Sequence, residues 1–506
     1  MNKIRVFTDK KKGVISPELH SHFVEFLGSC IYDGIWVGED SEIPNIHGLR
    51  KDLVEAMKKI QPPVIRWPGG CFADTYHWRD GIGPKDFRPI RYNENFGTYE
   101  VDTNQFGTHE FMEFCELVGA RPWLNVNLMT GSVAEMREWA EYCNRAQDTT
   151  LSRERAANGH PEPFKVELWG IGNEAWDGGG KYTAESYAEE YRRYASAMPS
   201  FRNPLNPEES MGEIKLIASG ADGNKPKERV AWTKDFFGEM AKYRKPTLHA
   251  VDLHFYNWNI PNMVEGEFTQ EDCERVIRGC QELEEVIKEQ AQLIQEGLEA
   301  IPESEWFFPG PKPTCDLYVG EWGNWHGYSF RARPALYQNS TMLDAITSAL
   351  TLDIFHRNCD TVKLACVAQS VNVLNSLFLT KGSQTLLTPT YHVFDLYQVH
   401  RGGEAVELSL EQQGENLYAF ASAKEDRLYL NVVHTGADAT VVDLEGIAGN
   451  PVSVKVLNAD DLNEKNTFED PEHLVIREGI LPEKQENTWK MKIPGYSINV
   501  FEFEMK

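Results

Sequence analysis

Residues 166–174 have the sequence VELWGIGNE, an apolar run that ends in Asn173 and Glu174. Its length and composition are typical of a buried strand. Tyr187, Tyr191 and Tyr194 follow at helical spacing and indicate one face of a helix. This stretch therefore predicts one βα unit with two polar side chains at the carboxyl end of its strand.

Seven comparable runs surround this one between about residue 20 and residue 385, and helical patterns separate them. Ser132 and Glu135 begin one of these helices with the spacing of a capping box. The eight runs in chain order are HFVEFLGSC (22–30), PVIRWPGG (63–70), RPWLNVNL (121–128), VELWGIGNE (166–174), IKLIASGAD (214–222), HAVDLHFY (249–256), DLYVGEWG (316–323) and VKLACVAQSVN (362–372). Eight alternating βα units predict an α/β fold, a (β/α)8 TIM barrel.

From about residue 405 the pattern changes to short alternating segments without helices, which is typical of a β-sandwich. The segments are NLYAFASA, RLYLNVVHT, TVVDLEGI, SVKVLN, HLVIRE, TWKMKIP and SINVFEFEM. KIRVFT, near the N-terminus, has no helix after it and predicts one more strand of this sandwich. We therefore expect a strand segment at 1–19, the barrel at 20–385 and a C-terminal all-β, jelly-roll-like sandwich at 386–506.

The 506 residues include 51 Lys and Arg against 77 Asp and Glu, a formal charge of −26. This charge disfavours nucleic acids, anionic membranes and polyanionic substrates, whereas a neutral saccharide is compatible with it. The nine cysteines are scattered without a CxxC pair, which indicates reduced thiols rather than a disulfide framework or a zinc site. The N-terminal residues lack the apolar segment of a signal peptide, and no stretch approaches the roughly 20 apolar residues of a membrane helix. We therefore expect a cytoplasmic protein.

Barrel enzymes carry their active sites at the carboxyl ends of the strands. Glu174 ends the fourth run and Glu321 lies near the end of the seventh. Strands four and seven face each other across a barrel, so the two carboxyl groups are expected at the spacing of about 5 to 5.5 Å that a retaining glycosidase needs. For one isolated Glu, a salt bridge to Arg66 is the competing interpretation. Two Glu at opposed strand ends favour catalysis.

The neighbours of these two Glu suggest different roles for them. Asn173 is expected to bind a sugar hydroxyl, and Tyr256 to orient Glu321. Trp169 and Trp176 flank Glu174 in sequence, which predicts a less solvated and protonated carboxyl group. His20 and His22 have no third ligand within sequence reach, so the sequence predicts no metal site.

Several longer motifs occur in order from about residue 13 to residue 400: HFVEFLGSCIYDGIWVGED, RWPGGCFADTYHWRDGIGP, FGTHEFMEFCELVGARPW, WGIGNEAWDGGG, LHFY, VGEWGNW and AQSVNVLN. They resemble glycoside hydrolase family 51, the α-L-arabinofuranosidases. The resemblance implies a barrel with a β-sandwich that N-terminal residues complete, retaining hydrolysis without a cofactor, and assembly into homo-oligomers. It also implies Glu174 as acid/base and Glu321 as nucleophile. The residues that it implies as furanoside-binding are Glu25, Arg66, Cys71, Asn173, His254, Tyr256 and Gln369.

Two places in the chain differ from many members of this family. Cys71 stands where many members have Asn and another group has Cys. Before FGTHEF the related sequences have Trp-Gly-Gly, whereas this chain has ENFGTYEVDTNQ, with Phe96 near the position of that Trp. We expect the second change to alter the preference for the leaving group and to leave the chemistry unchanged.

The leading hypothesis is an exo-acting α-L-arabinofuranosidase that removes terminal arabinofuranose from arabino-oligosaccharides or arabinoxylan fragments by double displacement. An endo-acting β-1,4-glucanase or xylanase of the same family is the first alternative, because a fold does not determine a substrate. A non-catalytic carbohydrate-binding protein is the second. A pocket for a chain end favours exo action, and an open groove favours endo action.

Overall fold

The computed structural model describes residues 2–242, 247–259, 264, 267–301, 314–414 and 416–505. The chain packs into two compact units. One comprises Met1–His20, Asn257–Glu285 and Gly323–Lys506, and the other comprises Ser21–Tyr256 and Val286–Trp322. The domain limits expected after residues 19 and 385 stay a prediction.

Eight parallel strands close into a barrel in which each strand lies between its neighbours in chain order. Barrel strands 1 to 8 are Ser21–Phe23, Val64–Trp67, Arg121–Val126, Leu168–Ile171, Lys215–Asp222, Ala250–Asn257, Asp316–Asn324 and Val362–Ala368. Nearly all of their side chains are buried, which explains why each appears in the sequence as an apolar run. The predicted (β/α)8 barrel is confirmed.

Barrel strand 1 is shorter than the apolar run that predicted it. Only Ser21–Phe23 is a strand, and it pairs with strand 2 by placing Phe23 opposite Arg66. After Val24, whose N–H donates to the Arg66 carbonyl over 3.1 Å, the backbone turns, and Leu27 N–H donates to the Glu25 carbonyl. Glu25 therefore lies in the loop at the carboxyl end of strand 1.

The α-helices that the structure describes are Lys51–Ile60, Thr108–Val118, Val133–Asn144, Thr150–Ala157, Ala184–Ala197, Pro226–Met240, Gln270–Ala300, Met342–Arg357 and Pro389–Tyr397. Tyr187, Tyr191 and Tyr194 are buried on one face of helix Ala184–Ala197, as their spacing predicted. None of the helices in the described ranges combines the length and the apolar character needed to cross a bilayer.

Ten further strands form one sheet that curls on itself, and three pairs of short strands form separate two-stranded sheets. In spatial order its strands are Arg477–Glu478, Pro451–Asn458, Ser497–Glu504, Arg427–His434, Leu417–Lys424, Glu404–Glu411, Asn2–Val14, Thr440–Glu445, Thr488–Ile493 and Glu483–Gln485. Trp489 and Phe503 lie far apart in this order, yet their ring centroids are 6.3 Å apart. The two halves of the sheet therefore face each other across one apolar core.

The N-terminal strand is longer than KIRVFT predicted and runs over Asn2–Val14. It pairs antiparallel with Glu404–Glu411 and parallel with Thr440–Glu445, so N-terminal residues form a strand of this sheet. Glu404–Glu411 was not predicted, although Val406, Leu408 and Leu410 alternate along it. The predicted strand HLVIRE is reduced to the two residues Arg477–Glu478.

Candidate active site

The two predicted catalytic carboxyl groups lie at the carboxyl ends of strands 4 and 7. Strand 4 ends at Ile171, and the backbone then takes left-handed conformations at Gly172 (φ 79°) and Glu174 (φ 39°). This turn brings Glu174 next to the side chains of strand 6. Glu321 lies within strand 7 and is buried.

One carboxylate oxygen of Glu174 and one of Glu321 lie within 4.8 Å of each other. A spacing of about 5 to 5.5 Å between carboxyl groups is typical of retaining glycosidases, and about 6.5 to 9.5 Å of inverting ones. The Glu174 side chain is 18% exposed and that of Glu321 is 7% exposed. The geometry therefore fits two carboxyl groups that act on one bond.

Glu321 accepts hydrogen bonds from two buried donors. Arg66 Nη1 donates to Oε1 and the Tyr256 hydroxyl donates to Oε2, each over 2.7 Å. The Arg66 Nη2 group donates to Asn173 Oδ1 over 2.5 Å. Its guanidinium also lies over the Phe23 and Trp123 rings, at 4.6 and 5.4 Å from their centroids. The salt bridge to Arg66 that was the alternative for a lone Glu is thus present at Glu321, together with a second carboxyl group.

His254 lies between the two Glu. Its Nδ1 is 2.9 Å from Glu174 Oε1 and 3.5 Å from Glu321 Oε1, and its Nε2 is 3.1 Å from Asp252 Oδ2. Burial lowers the pKa of His254, but the charges of Glu321 and Asp252 outweigh burial and raise this pKa to about 10. We therefore treat His254 as an imidazolium that donates from both ring nitrogens at neutral pH.

Asp252 was missed in the sequence, although a signal was present. Asp252, His254 and Tyr256 alternate along VDLHFY, so they point to the same face of strand 6. Asp252 Oδ1 also accepts the Gly320 N–H over 2.5 Å, and a Cβ at Gly320 would lie only 2.2 Å from that oxygen. Gly320 therefore permits the close approach of strand 7 to Asp252.

The carboxyl groups of Glu174 and Glu25 both have raised pKa values. Burial and the charge of Glu321 raise the pKa of Glu174, although the hydrogen bond from His254 opposes this shift. Burial, followed by the charge of Glu321, raises the pKa of Glu25 to about 7. Trp169, which was expected to desolvate Glu174, instead packs edge-on against Trp139 in the core.

Glu25 and Cys71 border the same site. Glu25 Oε1 accepts the Phe72 N–H over 2.9 Å, and a Cβ at Gly70 would lie 2.8 Å from this oxygen, which explains the glycine in RWPGG. The Cys71 thiol lies 3.7 Å from Glu174 Oε2, and Asn173 Nδ2 lies 3.8 Å from its sulfur. Burial and the surrounding carboxylates raise the pKa of this thiol well above its usual value, so it is a neutral donor. All nine cysteines are free thiols.

The structure thus brings together eight of the nine predicted site residues, which are Glu25, Arg66, Cys71, Asn173, Glu174, His254, Tyr256 and Glu321. Gln369 directly follows strand 8 and belongs to the other compact unit. Its predicted contact with the sugar stays a prediction.

Among the described residues, Glu174, His254 and Glu321 also form the one group whose atoms are spaced as metal ligands. Arg66 already donates to Glu321, and His254 Nδ1 lies 2.9 Å from Glu174 Oε1, so hydrogen bonds within the protein already use these atoms. These residues fit a carboxyl pair in acid/base and nucleophilic roles better than a metal centre.

Comparison with known proteins gives one consistent result. Residues 56–275 match the α-L-arabinofuranosidase 1 domain, and residues 320–497 match the α-L-arabinofuranosidase C-terminal domain. The intracellular exo-α-L-arabinofuranosidase of Bacteroides ovatus is 34% identical over 99% of this chain and 95% of its own.

Two solved structures cover the whole chain and are themselves covered completely. The family 51 arabinofuranosidase of Xanthomonas axonopodis pv. citri has a TM-score of 0.89 at 32% identity. The α-L-arabinofuranosidase of Thermotoga maritima in its arabinose complex has a TM-score of 0.83 at 29% identity. With these matches and the paired carboxyl groups, the chain belongs to glycoside hydrolase family 51, the α-L-arabinofuranosidases.

Proposed function

We propose that this enzyme is a retaining, exo-acting α-L-arabinofuranosidase that removes terminal non-reducing arabinofuranosyl residues from arabino-oligosaccharides or arabinoxylan fragments. The observation that carries this proposal is the separation of at most 4.8 Å between oxygens of Glu174 and Glu321. That spacing leaves no room for a water between carboxylate and sugar, so the second carboxylate attacks directly. The names of the relatives support the arabinofuranoside as substrate.

In the first step a Glu321 oxygen forms an ester bond with the anomeric carbon, and the bond from that carbon to the leaving-group oxygen breaks. Glu174 gives its proton to the departing oxygen. The raised pKa of Glu174 favours the protonated form that this step needs. Arg66 and Tyr256 hold the Glu321 carboxylate in position for attack.

In the second step Glu174, now a carboxylate, takes a proton from water. The water oxygen bonds to the anomeric carbon as the ester bond to Glu321 breaks, which restores both Glu and retains the configuration. The Nδ1–H of His254 faces oxygens of both Glu and interacts with whichever of them is negative.

The furanose is proposed to bind to Glu25, Arg66, Cys71, Asn173, His254, Tyr256 and Gln369. A non-catalytic binding protein would not need two carboxyl groups at this spacing, because burying them costs free energy. Endo action is less favoured, because the relatives cited above are arabinofuranosidases and one is named as exo-acting.

We further propose an intracellular location and a homo-oligomer. The Bacteroides ovatus relative is named intracellular, and nine free cysteines suit a reducing compartment. Imported oligosaccharides would then be the physiological substrates. Light scattering during gel filtration would determine the number of subunits.

The stereochemistry of azide rescue tests the two roles. Glu321→Ala should lose hydrolysis of every substrate, and azide should attack the sugar directly to give an inverted glycosyl azide. Glu174→Ala should still form the glycosyl-enzyme from an aryl arabinofuranoside with an acidic phenol, because that phenol leaves without a proton. Azide should then release the sugar with net retention.

Glu189→Ala is the matched control, because Glu189 is exposed on helix Ala184–Ala197, and it should keep wild-type rates. Inverted azide from Glu174→Ala and retained azide from Glu321→Ala would reverse the assignment. Wild-type enzyme that cleaves aryl glucosides or xylosides but no arabinofuranoside would overturn the proposed substrate.

A further inference from the structure

The loop of residues 93–99 is hydrogen-bonded to the segment after strand 1. Asn93 Nδ2 donates to the Phe26 carbonyl over 2.7 Å, and Asn93 Oδ1 accepts the Asn95 N–H over 2.9 Å. On the other side, Thr98 Oγ1 accepts the Gly28 N–H over 3.0 Å. The two Asn93 contacts hold the turn at Asn95 beside Glu25, whereas the Thr98 contact joins the loop to Gly28 and involves neither of these residues.

Asn95 then makes a contact within the site. Its Nδ2 donates to Glu25 Oε1 over 3.0 Å, the same oxygen that accepts the Phe72 N–H. Two donors on one oxygen fix the rotation of the carboxylate. The close backbone at Gly69 and Gly70 leaves little space for another rotamer, because a Cβ at either position would lie 2.8 Å from Oε1.

We propose that Asn95 is a positioning residue for the reaction, which orients Glu25 and favours its ionised form as an acceptor for a sugar hydroxyl. The inference rests on the proposed function in one respect, that Glu25 binds the furanose. The Asn95 contact was not visible in the sequence, because Asn95 and Glu25 lie on different loops.

The charges around Glu25 give the direction of the effect. Burial and the charge of Glu321 raise the pKa of Glu25, whereas the Phe72 N–H, Arg66 and the Asn95 amide lower it. The thiol of Cys71 and the hydroxyl of Tyr256 also interact with Glu25, and both are neutral because their own pKa values are raised. Loss of the Asn95 donor therefore raises the pKa of Glu25, so that more of it is protonated at neutral pH.

The test compares Asn95→Ala and Asn95→Asp with Thr98→Val. Asn95→Ala removes the donor, Asn95→Asp keeps the shape and adds a negative charge, and Thr98→Val removes a loop contact that does not involve Glu25. In the pH profile of kcat/KM for an aryl arabinofuranoside, the acidic limb should move up by about one pH unit in Asn95→Ala and further in Asn95→Asp. The rise in KM at pH 7 should be roughly tenfold. Thr98→Val should leave the limb in place.

Thermal unfolding gives a readout that does not need turnover. A raised folded-state pKa of Glu25 means that the native state loses stability as pH rises from the unfolded pKa through the folded one. The Tm deficit of Asn95→Ala against wild type should therefore be larger at pH 8 than at pH 5, and that of Thr98→Val should be equal at both.

The proposal would be overturned if the acidic limb of the kcat/KM profile stayed at its wild-type pH in both Asn95 variants. It would also be overturned if Thr98→Val moved this limb as far as the Asn95 variants do. If the wild type cleaved no arabinofuranoside, the proposed function would fail, while the unfolding comparison would still decide the effect of Asn95 on Glu25. A Tm deficit independent of pH would then reject that effect.

Discussion

The Tyr256 hydroxyl is one of two donors to Glu321, and it is buried where water does not replace it. Tyr256→Phe keeps the ring and removes this hydrogen bond. A hydrogen bond to a charged group contributes about 1.5 to 3 kcal/mol, so kcat/KM should fall roughly 10- to 100-fold. Steady-state kinetics on an aryl arabinofuranoside measures the loss.

Tyr191→Phe is the matched control, because Tyr191 is also buried and donates to the Thr247 carbonyl away from the site. It should lower the Tm and leave kcat/KM near the wild-type value. Equal activity losses in the two variants would show that the Tyr256 effect is structural.

Asp252 acts on the site through His254. The raised folded-state pKa of His254, about 10, lies above its ordinary value of 6.5, so the native state binds the extra proton between these values. This contribution to stability is complete below pH 6.5 and is lost as pH rises toward 10. Asp252→Asn should lower the pKa of His254, so its Tm should decline less between pH 7 and pH 10 than that of wild type.

Asp235→Asn provides the control for a charge change alone, because Asp235 is exposed on helix Pro226–Met240. Its Tm should follow the wild-type pH dependence. If the Tm of Asp252→Asn fell between pH 7 and pH 10 as steeply as that of wild type, Asp252 would not set the proton affinity of His254.

At the scale of single elements, helix Val133–Asn144 begins at a cap that the sequence predicted only in part. Ser132 Oγ accepts the Glu135 N–H over 3.1 Å, as expected. The Glu135 carboxylate lies 2.9 Å from His77 Nδ1 instead of completing the capping box. A partner from another loop thus takes the second half of the motif.

Ser132→Ala should lower the free energy of unfolding by about 1 kcal/mol, because one N-terminal N–H of the helix loses its acceptor. Denaturant-induced unfolding followed by circular dichroism measures this change. Ser132→Asp supplies another good cap and should stay close to wild type. A Ser132→Ala variant as stable as Ser132→Asp would contradict the assigned cap.

At the scale of the whole molecule, the first strand and the C-terminal strands form one sheet. Asn2–Val14 lies inside that sheet, between Glu404–Glu411 and Thr440–Glu445. Deletion of residues 1–14 would remove this strand and leave two unpaired edges with the apolar core exposed. Unpaired edges promote aggregation. We expect the truncated protein in the insoluble fraction, in contrast to the full chain.

Two substitutions in the same strand refine this test. Ile4→Asp places a charge in the core of the β domain and should reproduce the insolubility, because Ile4 is fully buried. Arg5→Ala removes only a surface ion pair with Glu445 and should leave the protein soluble. A soluble, folded truncation would show that the strand is dispensable.

The sequence by itself determined the barrel, the β domain and the positions of the two Glu. Each barrel strand is buried, so it appears as an apolar run, and the polar residues after it mark the carboxyl end of the barrel. These signals are local, because strand period, helix period and turn residues depend on neighbours along the chain. Glu404–Glu411 was missed, although its alternation was also a local signal.

Only the tertiary structure decided how the site residues act on one another. The spacing of Glu174 and Glu321, the contact from Asn95 to Glu25 and the proton affinity of His254 each join groups from different strands or loops. The number of residues between two positions in the sequence does not give distances of this kind. The pKa shifts of the site residues depend on these distances and on burial, because charges interact strongly where water is excluded.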